Sequence, residues 1–350
     1  MTAPRLEINL GKIRDNARLL VEMCASHGIE VAAVTKGVCA LPPVVQAMLD
    51  GGVQRLCDSR VHNLRRLHEA GIQAPRQLIR SAMPSQVDDV VRFADVSHVT
   101  DVRLLRPLSE AAVRQGRTHG VLLMVELGGL REGMAPEALI PAVHLALELP
   151  GLEPVGVGTA IGCYNDEYPT PADVKQLVDR CEEARAATGA ALPIVSGGSS
   201  SALPLLWTGG MPSGITQLRI GEAILLGVVE LAGWSGGDPL PGAHTDTMRL
   251  VAEVIEVADE PIYAAPGGDL WRPAGRAIAA LGYVDVPVKA IIGAEEGLTV
   301  IDATSDHLLL DTVPPHPTLA PGQEVVLRPY YRAMVAACAS EYVEKVFIAG

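Results

Sequence analysis

The stretch Val31-Ala32-Ala33-Val34-Thr35-Lys36-Gly37 decides the fold. Small and β-branched apolar residues followed by threonine have the composition of a buried strand, and this strand ends at a lysine. Because an ammonium group is not buried cheaply in an apolar core, we expect Lys36 at the strand's carboxyl end. Barrel and doubly wound enzymes do their chemistry at that end. Lys36 alone leaves two interpretations open: a catalytic amine, or a strand-terminal lysine whose ammonium reaches solvent.

Similar runs recur along the first two thirds of the chain, and each is followed by a helical segment. After a strand at 5–10 and a helix at 12–26, the sequence predicts strands at 31–35, 54–57, 77–79, 96–99, 120–125, 153–157, 193–195 and 217–218. The helical segments that follow them are 43–50, 60–70, 85–93, 102–115, 136–149, 172–188, 200–206 and 222–226. Strand–helix alternation implies a parallel sheet, and this number of units predicts an α/β fold, the (β/α)8 or TIM barrel.

The pattern changes after the Gly-rich stretch 233–239. From residue 247 onward the chain reads as strands at 248–257, 276–281, 298–301, 308–311 and 325–327, separated by Pro and Gly turns. We therefore expect a barrel over residues 1–235 and a C-terminal all-β domain over 236–350. Residues 1–10 are a candidate strand of the β-domain.

Composition excludes several classes of protein. The chain has 350 residues, 48% of them hydrophobic, a mean hydropathy of +0.24 and a net charge of −13. No apolar run reaches the roughly 18 residues of a membrane helix, and the N-terminus lacks a signal-peptide pattern. The 6 cysteines form no CxxC pair, which argues against zinc and disulfides and favours a reducing cytoplasm. We expect a cytoplasmic protein with no metal, no membrane and no nucleic-acid partner.

Polar residues cluster at the expected carboxyl ends of the barrel strands. In chain order they are Lys36, Arg131, Thr159, the loop Ser196-Gly197-Gly198-Ser199-Ser200, and Arg219 with Gly221 and Glu222. A Gly/Ser loop that opens a helix offers N–H donors to an anion such as phosphate. Each piece also has an ordinary explanation, such as a helix N-cap or an Arg219–Glu222 ion pair. A lysine and a phosphate-type loop at one end of a barrel together suggest pyridoxal 5'-phosphate held as an imine on Lys36.

These stretches resemble the alanine racemase family of pyridoxal-phosphate enzymes (fold type III), and within it the ornithine racemase and broad amino-acid racemase branch. The resemblance extends from Glu7 to Val343 and is carried by residues 34–37, 58–60 with 63–64, 127–133, 156–159, 196–200, 218–222, and 303–307 with 310–311. It implies an isomerase that interconverts L- and D-amino acids by two-base transfer of the α-proton. It also implies a homodimer with shared active sites.

The resemblance assigns cofactor-binding roles to Lys36, Arg131, Ser199, Ser200, Arg219, Gly221, Glu222 and Tyr331. Lys36 would carry the cofactor, and Arg131 would lie near its phenolic oxygen. Arg219 would face the pyridine nitrogen, which would stay unprotonated because an arginine keeps its own proton. Ser200, Tyr331 and the backbone of Gly221 and Glu222 would bind the phosphate.

For the two proton transfers, the resemblance implies Lys36 on one face of the α-carbon and a tyrosine of the partner subunit on the other. The matching tyrosine is Tyr283, in Gly282-Tyr283-Val284-Asp285. Its pKa, ordinarily near 10, would have to fall, or catalysis would depend on alkaline pH. The alternative for Tyr283 is a strand residue that packs at an interface.

The chain also departs from the family pattern. Ala160 occupies the ring-stacking position, where the family carries His or Asn, and Ser199 stands where the branch carries Asn. Either the substrate differs, or Cys163 or Tyr164 compensates. Ser305 and Asp306 would approach the substrate from the partner subunit. Asp306 would pair with the distal ammonium of ornithine or lysine, or alternatively would hold the dimer interface together with His307.

The substrate expected from these residues is a small-molecule amino acid with a side chain larger than alanine, such as ornithine or lysine, since Ala160 leaves room. Three alternatives stay open: a non-catalytic pyridoxal-phosphate homeostasis protein, a fold-type III amino-acid decarboxylase, and a Schiff-base aldolase barrel. The predicted second domain argues against the first. A Schiff-base aldolase would need neither Arg219 nor the C-terminal β-domain.

Overall fold

The structure is a computed structural model. It describes residues 3–162, 167–229, 237–258, 260–263, 268, 270–272, 274–293, 296–312 and 319–349. Of the helices in these residues, none has both the length and the apolar character needed to cross a bilayer.

Within the described residues the strands are β1 Arg5–Asn9, β2 Glu30–Val34, β3 Arg55–Asp58, β4 Arg76–Leu78, β5 Val96–Val99, β6 His119–Met124, β7 Leu152–Gly158, β8 Ile194–Ser196, β9 Gln217–Ile220, β10 Val228–Val229, β11 Asp238–Pro239, β12 Met248–Val257, β13 Ile262–Tyr263, β14 Leu270–Arg272, β15 Ala277–Ala280, β16 Ile291–Gly293, β17 Leu298–Ala303, β18 His307–Thr312, β19 Glu324–Pro329 and β20 Glu344–Ile348. The α-helices are α1 Leu10–Ala25, α2 Pro42–Asp50, α3 Val61–Glu69, α4 Val87–Phe93, α5 Leu105–Arg114, α6 Leu139–Glu148, α7 Pro171–Thr188, α8 Pro204–Trp207, α9 Glu222–Leu226 and α10 Tyr331–Ala339.

Strands β2 to β9 form a closed parallel barrel in chain order, with β9 paired to β2. The predicted (β/α)8 fold is confirmed. The strands fall within one or two residues of their expected positions, because each is a short buried run bounded by turn residues. Helix α7 shows how local signals set the boundaries. Thr170 and Asp173 form a capping box around Pro171, and Gly189 ends the helix with a left-handed φ of 72°.

The barrel interior has an apolar part and a polar part. Val96, Leu122, Met124 and Ala160 form one apolar cluster, and Ala32, Val34 and Cys57 form another. Between them, β8 and β9 direct Ser196, Gln217 and Arg219 inward, and all three are buried. A TIM barrel core is ordinarily filled by branched apolar side chains, so this polar part calls for an explanation.

The chain divides into two compact units. One comprises Ile13–Ala232 with Gly237–Ala243, and the other Met1–Lys12, Gly233–Gly236 and His244–Gly350. The boundary expected between residues 235 and 236 lies outside the described residues.

In the second unit, the described strands form a sheet in the order β16-β19-β12-β15-β18-β17. Strand β1 lies beside β12 and β20, antiparallel to the first and parallel to the second. The C-terminal region is β-rich as predicted, but it also contains α10. That helix was not anticipated, although its Ala-rich sequence favours a helix.

Candidate active site

Lys36 lies two residues after the end of β2, at the carboxyl end of the barrel, and it is exposed. It is the first residue of a 3-10 turn, Lys36–Val38, that leads into two non-glycine residues with positive φ, Cys39 at 50° and Ala40 at 51°. The Thr35 carbonyl accepts the N–H groups of Val38 and Ala40, both at 3.1 Å. Backbone strain of this kind persists only where surrounding contacts impose it, and it is frequent at functional sites.

A buried carboxylate braces this turn from the next strand. Asp58, at the end of β3, accepts hydrogen bonds from the Thr35 hydroxyl at 2.7 Å and from the Asn63 amide at 3.0 Å. Burial raises the pKa of Asp58, although these bonds and the Arg60 N–H favour its charged form. Sequence reasoning quoted Asp58 but gave it no role. Its signal is an acidic residue at a strand end, next to the strand that carries Lys36.

Arg219 lies on β9, the neighbour of β2, and is almost fully buried, with 6% of its surface exposed. Its Nη1 donates to the Ser196 hydroxyl at 2.6 Å, and its Nη2 donates to the Thr159 carbonyl at 2.7 Å. Strands β7, β8 and β9 therefore hold the guanidinium together. Ser196 and Thr159 belonged to the quoted motifs, but their contacts to Arg219 were not predicted.

The loop after β8 and the start of α9 meet at the carboxyl end of the barrel. The Ala223 N–H donates to the Ser200 hydroxyl at 3.4 Å, which brings Ser200 beside Gly221 and Glu222. A Cβ on Gly221 would lie 3.0 Å from the Val34 Cβ, and one on Gly197 would lie 2.9 Å from Ile215. The glycines therefore keep this loop close to its neighbours. Ser199 turns to Ser201 instead, with its hydroxyl at 3.0 Å.

Arg131 lies on the loop after β6 and pairs with Glu132 at 2.5 Å. The loop is organised by Glu126, which accepts the N–H groups of Gly128, Gly129, Leu130 and Arg131 at 2.8, 2.5, 3.2 and 3.3 Å. Sequence reasoning missed Glu126. A carboxylate just after a strand and before Gly-Gly is the available signal, because such loops present several N–H groups to one anion.

Ala160, which follows β7, is buried and packs with Leu122 and Met124. Its carbonyl oxygen would lie 2.0 Å from a Cβ on Gly129, so the Arg131 loop passes directly over it. Cys163 and Tyr164, suggested above as compensating residues, lie outside the described residues. No group of three or more His, Cys, Asp and Glu side chains suited to a metal ion occurs in the described part of the chain.

The candidate residues of the β-rich unit lie together. Tyr283 donates its backbone N–H to the Thr304 carbonyl at 3.0 Å, and its hydroxyl lies 3.2 Å from Asp302. A Cβ on Gly282 would lie 2.1 Å from the Ser305 carbonyl oxygen, and Ser305 donates to Asp306 at 2.7 Å. Tyr331 is the first residue of α10 in the same unit. The structure thus brings Tyr283 next to Ser305 and Asp306.

Within Gly282-Tyr283-Val284-Asp285, the contacts distinguish residues that maintain the local structure from a residue whose side chain is accessible to a ligand. Gly282 is required by its close approach to Ser305, and Asp285 accepts the Gly282 N–H at 2.9 Å. The Tyr283 side chain, by contrast, is 48% exposed. Partial desolvation and then the Asp302 carboxylate raise the pKa of Tyr283 above its ordinary value, the direction opposite to the fall that a base near neutral pH requires.

The mouth of the barrel thus combines an exposed amine on Lys36, a buried guanidinium on Arg219, and a Gly/Ser loop with hydroxyl and N–H donors. The carboxyl end of the strands is where (β/α)8 enzymes bind their substrates. Fold and site together are those of a barrel enzyme with donors suited to an anionic ligand at the same end as an amine.

Comparison with known proteins defines the class more closely. The sequence profile "Alanine racemase, N-terminal domain" matches residues 8–227. The chain is 32% identical to an ornithine racemase of Acetoanaerobium sticklandii, over 98% of this chain and 99% of that protein. It is 34% identical to a lysine racemase of Thermotoga maritima, over 99% of each. The chain belongs to the alanine racemase family and is an isomerase.

Solved structures show the same fold at low sequence identity. An alanine racemase from Streptomyces lavendulae superimposes with a TM-score of 0.77 at 18% identity, over 100% of this chain and 98% of that one. A D-threonine aldolase from Filomicrobium marinum gives 0.74 at 18% identity, over 97% and 89%. At such identities the likeness concerns the fold alone.

Proposed function

We propose that the protein is an amino-acid racemase that uses pyridoxal 5'-phosphate on Lys36 and exchanges the α-proton between Lys36 and Tyr283. The observation that carries the proposal is the position of Lys36. It follows β2, the barrel strand paired with the strand of Arg219, and Ser200 lies on the loop after β8, at the same end of the barrel. The near full-length relatives named ornithine racemase and lysine racemase support the same activity.

The residues at the mouth fit this cofactor. Its phosphate would need hydroxyl and N–H donors, which the loop after β8 and the start of α9 would supply. Gly197 and Gly221 let this loop pack against Ile215 and Val34, where a Cβ would not fit. Lys36 would hold the cofactor, Arg131 would lie near its phenolic oxygen, and Tyr331 and Ser199 would contribute to the cofactor site. When bound, the cofactor delocalises the electron pair left on the α-carbon, which makes the α-proton removable.

Arg219 would influence the reaction through its charge. A guanidinium keeps its proton at any working pH, so it would donate a hydrogen bond to the cofactor's pyridine nitrogen and leave that nitrogen unprotonated. A ring without this extra positive charge withdraws electrons less strongly, which disfavours transamination and other side reactions. The Ser196 and Thr159 contacts hold the guanidinium for this task.

Each face of the α-carbon requires its own proton-transfer group. Lys36 would serve one face and Tyr283 the other, supplied by the partner subunit of a homodimer. The half-exposed Tyr283 side chain in a single subunit supports this role over packing within its own domain. Because Asp302 favours the neutral phenol, Tyr283 is suited to donate a proton, and its use as a base would depend on alkaline pH or on the partner site.

For the substrate we propose an amino acid with a distal ammonium, such as ornithine or lysine. The Tyr283 hydroxyl lies against the Asp302 carboxylate, and its neighbours Gly282 and Ser305 bond the carboxylates of Asp285 and Asp306. Carboxylates in this region favour a cationic side chain over an apolar one. The small Ala160 side chain would leave space for a ligand longer than alanine.

The experiment is a spectroscopic and isotopic comparison of matched variants. Lys36→Ala is expected to lose the visible absorbance band of the bound cofactor, whereas Lys175→Ala, an exposed lysine paired with Asp179 on α7, keeps it. An unchanged spectrum in Lys36→Ala would refute the central assignment.

The second comparison tests the second proton-transfer group. In deuterated water, the wild type is expected to incorporate solvent deuterium at the α-carbon of ornithine or lysine without releasing carbon dioxide. Tyr283→Phe should slow racemisation by about 100-fold or more at nearly unchanged cofactor binding, while deuterium exchange persists on the face that Lys36 serves. Tyr342→Phe, at a residue that is 72% exposed, serves as the control. Full activity in Tyr283→Phe would assign the second face to another residue. Release of carbon dioxide would favour a decarboxylase. Absence of deuterium exchange with every amino acid tested would favour a cofactor-homeostasis protein.

A further inference from the structure

A line of polar side chains crosses the barrel core from its amino end to Arg219. Glu30 begins β2 at the amino end, Gln217 begins β9, and Ser196 ends β8. Gln217 and Ser196 are fully buried, in a core layer that barrels of this type usually fill with branched apolar residues. Buried polar groups persist where they are hydrogen-bonded, so their bonding pattern indicates what they do.

The hydrogen bonds of this line run in one direction. Arg219 Nη1 donates to the Ser196 hydroxyl at 2.6 Å, Ser196 donates to Gln217 Oε1 at 3.0 Å, and Gln217 Nε2 donates to Glu30 Oε2 at 3.3 Å. Arg55 Nε donates to the other Glu30 oxygen at 3.1 Å. A carboxylate only accepts and a guanidinium only donates, so the two ends fix the direction of every bond between them. The line therefore links the Arg219 guanidinium to the carboxylate of the Glu30–Arg55 ion pair.

Arg219 needs such a link because its charge is buried. Removing a guanidinium from water is unfavourable unless a counter-charge or well-placed acceptors compensate. Cys57 and His98 are both close enough for the charge of Arg219 to lower their pKa, but neither carries a negative charge. Burial raises the pKa of the Cys57 thiol to about 12, and burial together with Arg219 lowers the pKa of His98, so both are neutral. Asp58 is buried too, but its oxygens accept from Thr35, Asn63 and Arg60.

We propose that Ser196, Gln217 and Glu30 are positioning residues that hold Arg219 at the cofactor ring, with the Glu30 carboxylate as the anionic end of the line. The inference rests on the proposed function for what Arg219 faces. It assigns a role at the carboxyl end of the barrel to a carboxylate at the amino end. Glu30 acts through Gln217 and Ser196 and touches neither substrate nor cofactor.

The first test observes Arg219 itself in the full-length protein, by NMR of the ¹⁵N-labelled guanidinium groups. In the wild type the Arg219 N–H signal should exchange slowly with solvent. Glu30→Gln keeps the shape of the side chain but removes the charge, and it should speed this exchange by about tenfold, the effect of weakening one hydrogen bond to a charged group. Glu153→Gln, on the exposed start of β7, is the matched control and should leave the signal unchanged.

A charge-swap variant separates a relay from simple packing. Glu30→Gln combined with Gln217→Glu moves the carboxylate one step along the line and preserves an acceptor for Ser196. It should restore slow exchange at Arg219 to within about threefold of the wild type. Ser196→Ala, which cuts the line beside Arg219, should loosen the guanidinium even if Glu30→Gln fails to fold. If Glu30→Gln folds with wild-type exchange, or if Ser196→Ala leaves the signal unchanged, the relay is refuted.

The second test adds pyridoxal 5'-phosphate with a ¹⁵N-labelled ring. Glu30→Gln should shift the ring-nitrogen resonance and weaken cofactor binding by about tenfold, and the swap should reverse both. A ring-nitrogen resonance and cofactor affinity that match the wild type in Glu30→Gln would contradict the role at the cofactor. A wild type that forms no visible band with the cofactor would refute the proposed function, while the guanidinium measurement still decides the relay.

Discussion

Acid should destabilise the barrel through one identifiable group, His119 at the start of β6. Its Nε2 lies 2.8 Å from the Ser97 hydroxyl, and the ring is buried. Burial and then the charge of Arg117 lower the pKa of His119 to about 4 from an ordinary 6.5. The unfolded chain therefore takes up a proton at higher pH than the folded one. The stability that His119 contributes is complete above pH about 6.5 and is lost as the pH falls towards 4.

The size of the effect follows from these two pKa values. With 6.5 in the unfolded and about 4 in the folded state, His119 removes about 2 kcal/mol of unfolding free energy between pH 8 and pH 5. The assay is urea denaturation followed by circular dichroism at both pH values, for the wild type and His119→Gln. Other groups titrate in both proteins, including His98 with the same sign and Asp58 with the opposite sign, so the difference between the two isolates His119. Parallel losses of stability in the two proteins would refute the reasoning.

Two further predictions concern the site. Gly129→Ala places a Cβ 2.0 Å from the Ala160 carbonyl oxygen, so the Arg131 loop must move by about 1 Å and kcat/KM should fall roughly 100-fold. Leu130→Gly, at a neighbouring residue with a φ of 52°, relieves backbone strain and should retain activity, and equal losses in both variants would contradict the steric argument. Asp302→Asn removes a carboxylate that raises the pKa of Tyr283, so the alkaline limb of the kcat/KM profile should move to lower pH. A limb that stays in place would mean that Tyr283 does not produce it.

The barrel was predictable from sequence because its signals are local. Each strand is a short buried run, each is followed by a helical segment, and the repetition of the unit specifies the architecture. The position of Lys36 at the carboxyl end of the barrel followed from the same count. Helix α10 was missed because it interrupts a β-rich region and its residues carry no strong cap signal, with no side-chain capping hydrogen bond at Tyr330.

The contacts that define the site were not predictable, because they depend on register between strands far apart in sequence. Asp302 reaches Tyr283 beside an irregularity in the pairing of β17 and β18, between Val300 and Asp302, which has no distinct sequence signal. Glu30 and Gln217 are neighbours because Glu30 pairs with Gln217 in the closed barrel, across 187 residues of sequence. The pairing of β9 with β2, which closes the barrel, places these two residues together. Sequence composition does not reveal that pairing.

The apolar and polar parts of the barrel core bear on why Ala160 stands at the position where the family carries His or Asn for ring stacking. On its apolar side, Ala160 packs with Leu122 and Met124 and offers a flat ring only a methyl group. A cofactor ring above this surface would receive little lateral support from β7, so its orientation would depend more on the hydrogen bond to its nitrogen. That bond would come from Arg219, whose position depends on Ser196 and Thr159 and, through the polar line, on Glu30. A small stacking surface at Ala160 and a guanidinium held by Ser196 and Thr159 are therefore compatible in the proposed cofactor site.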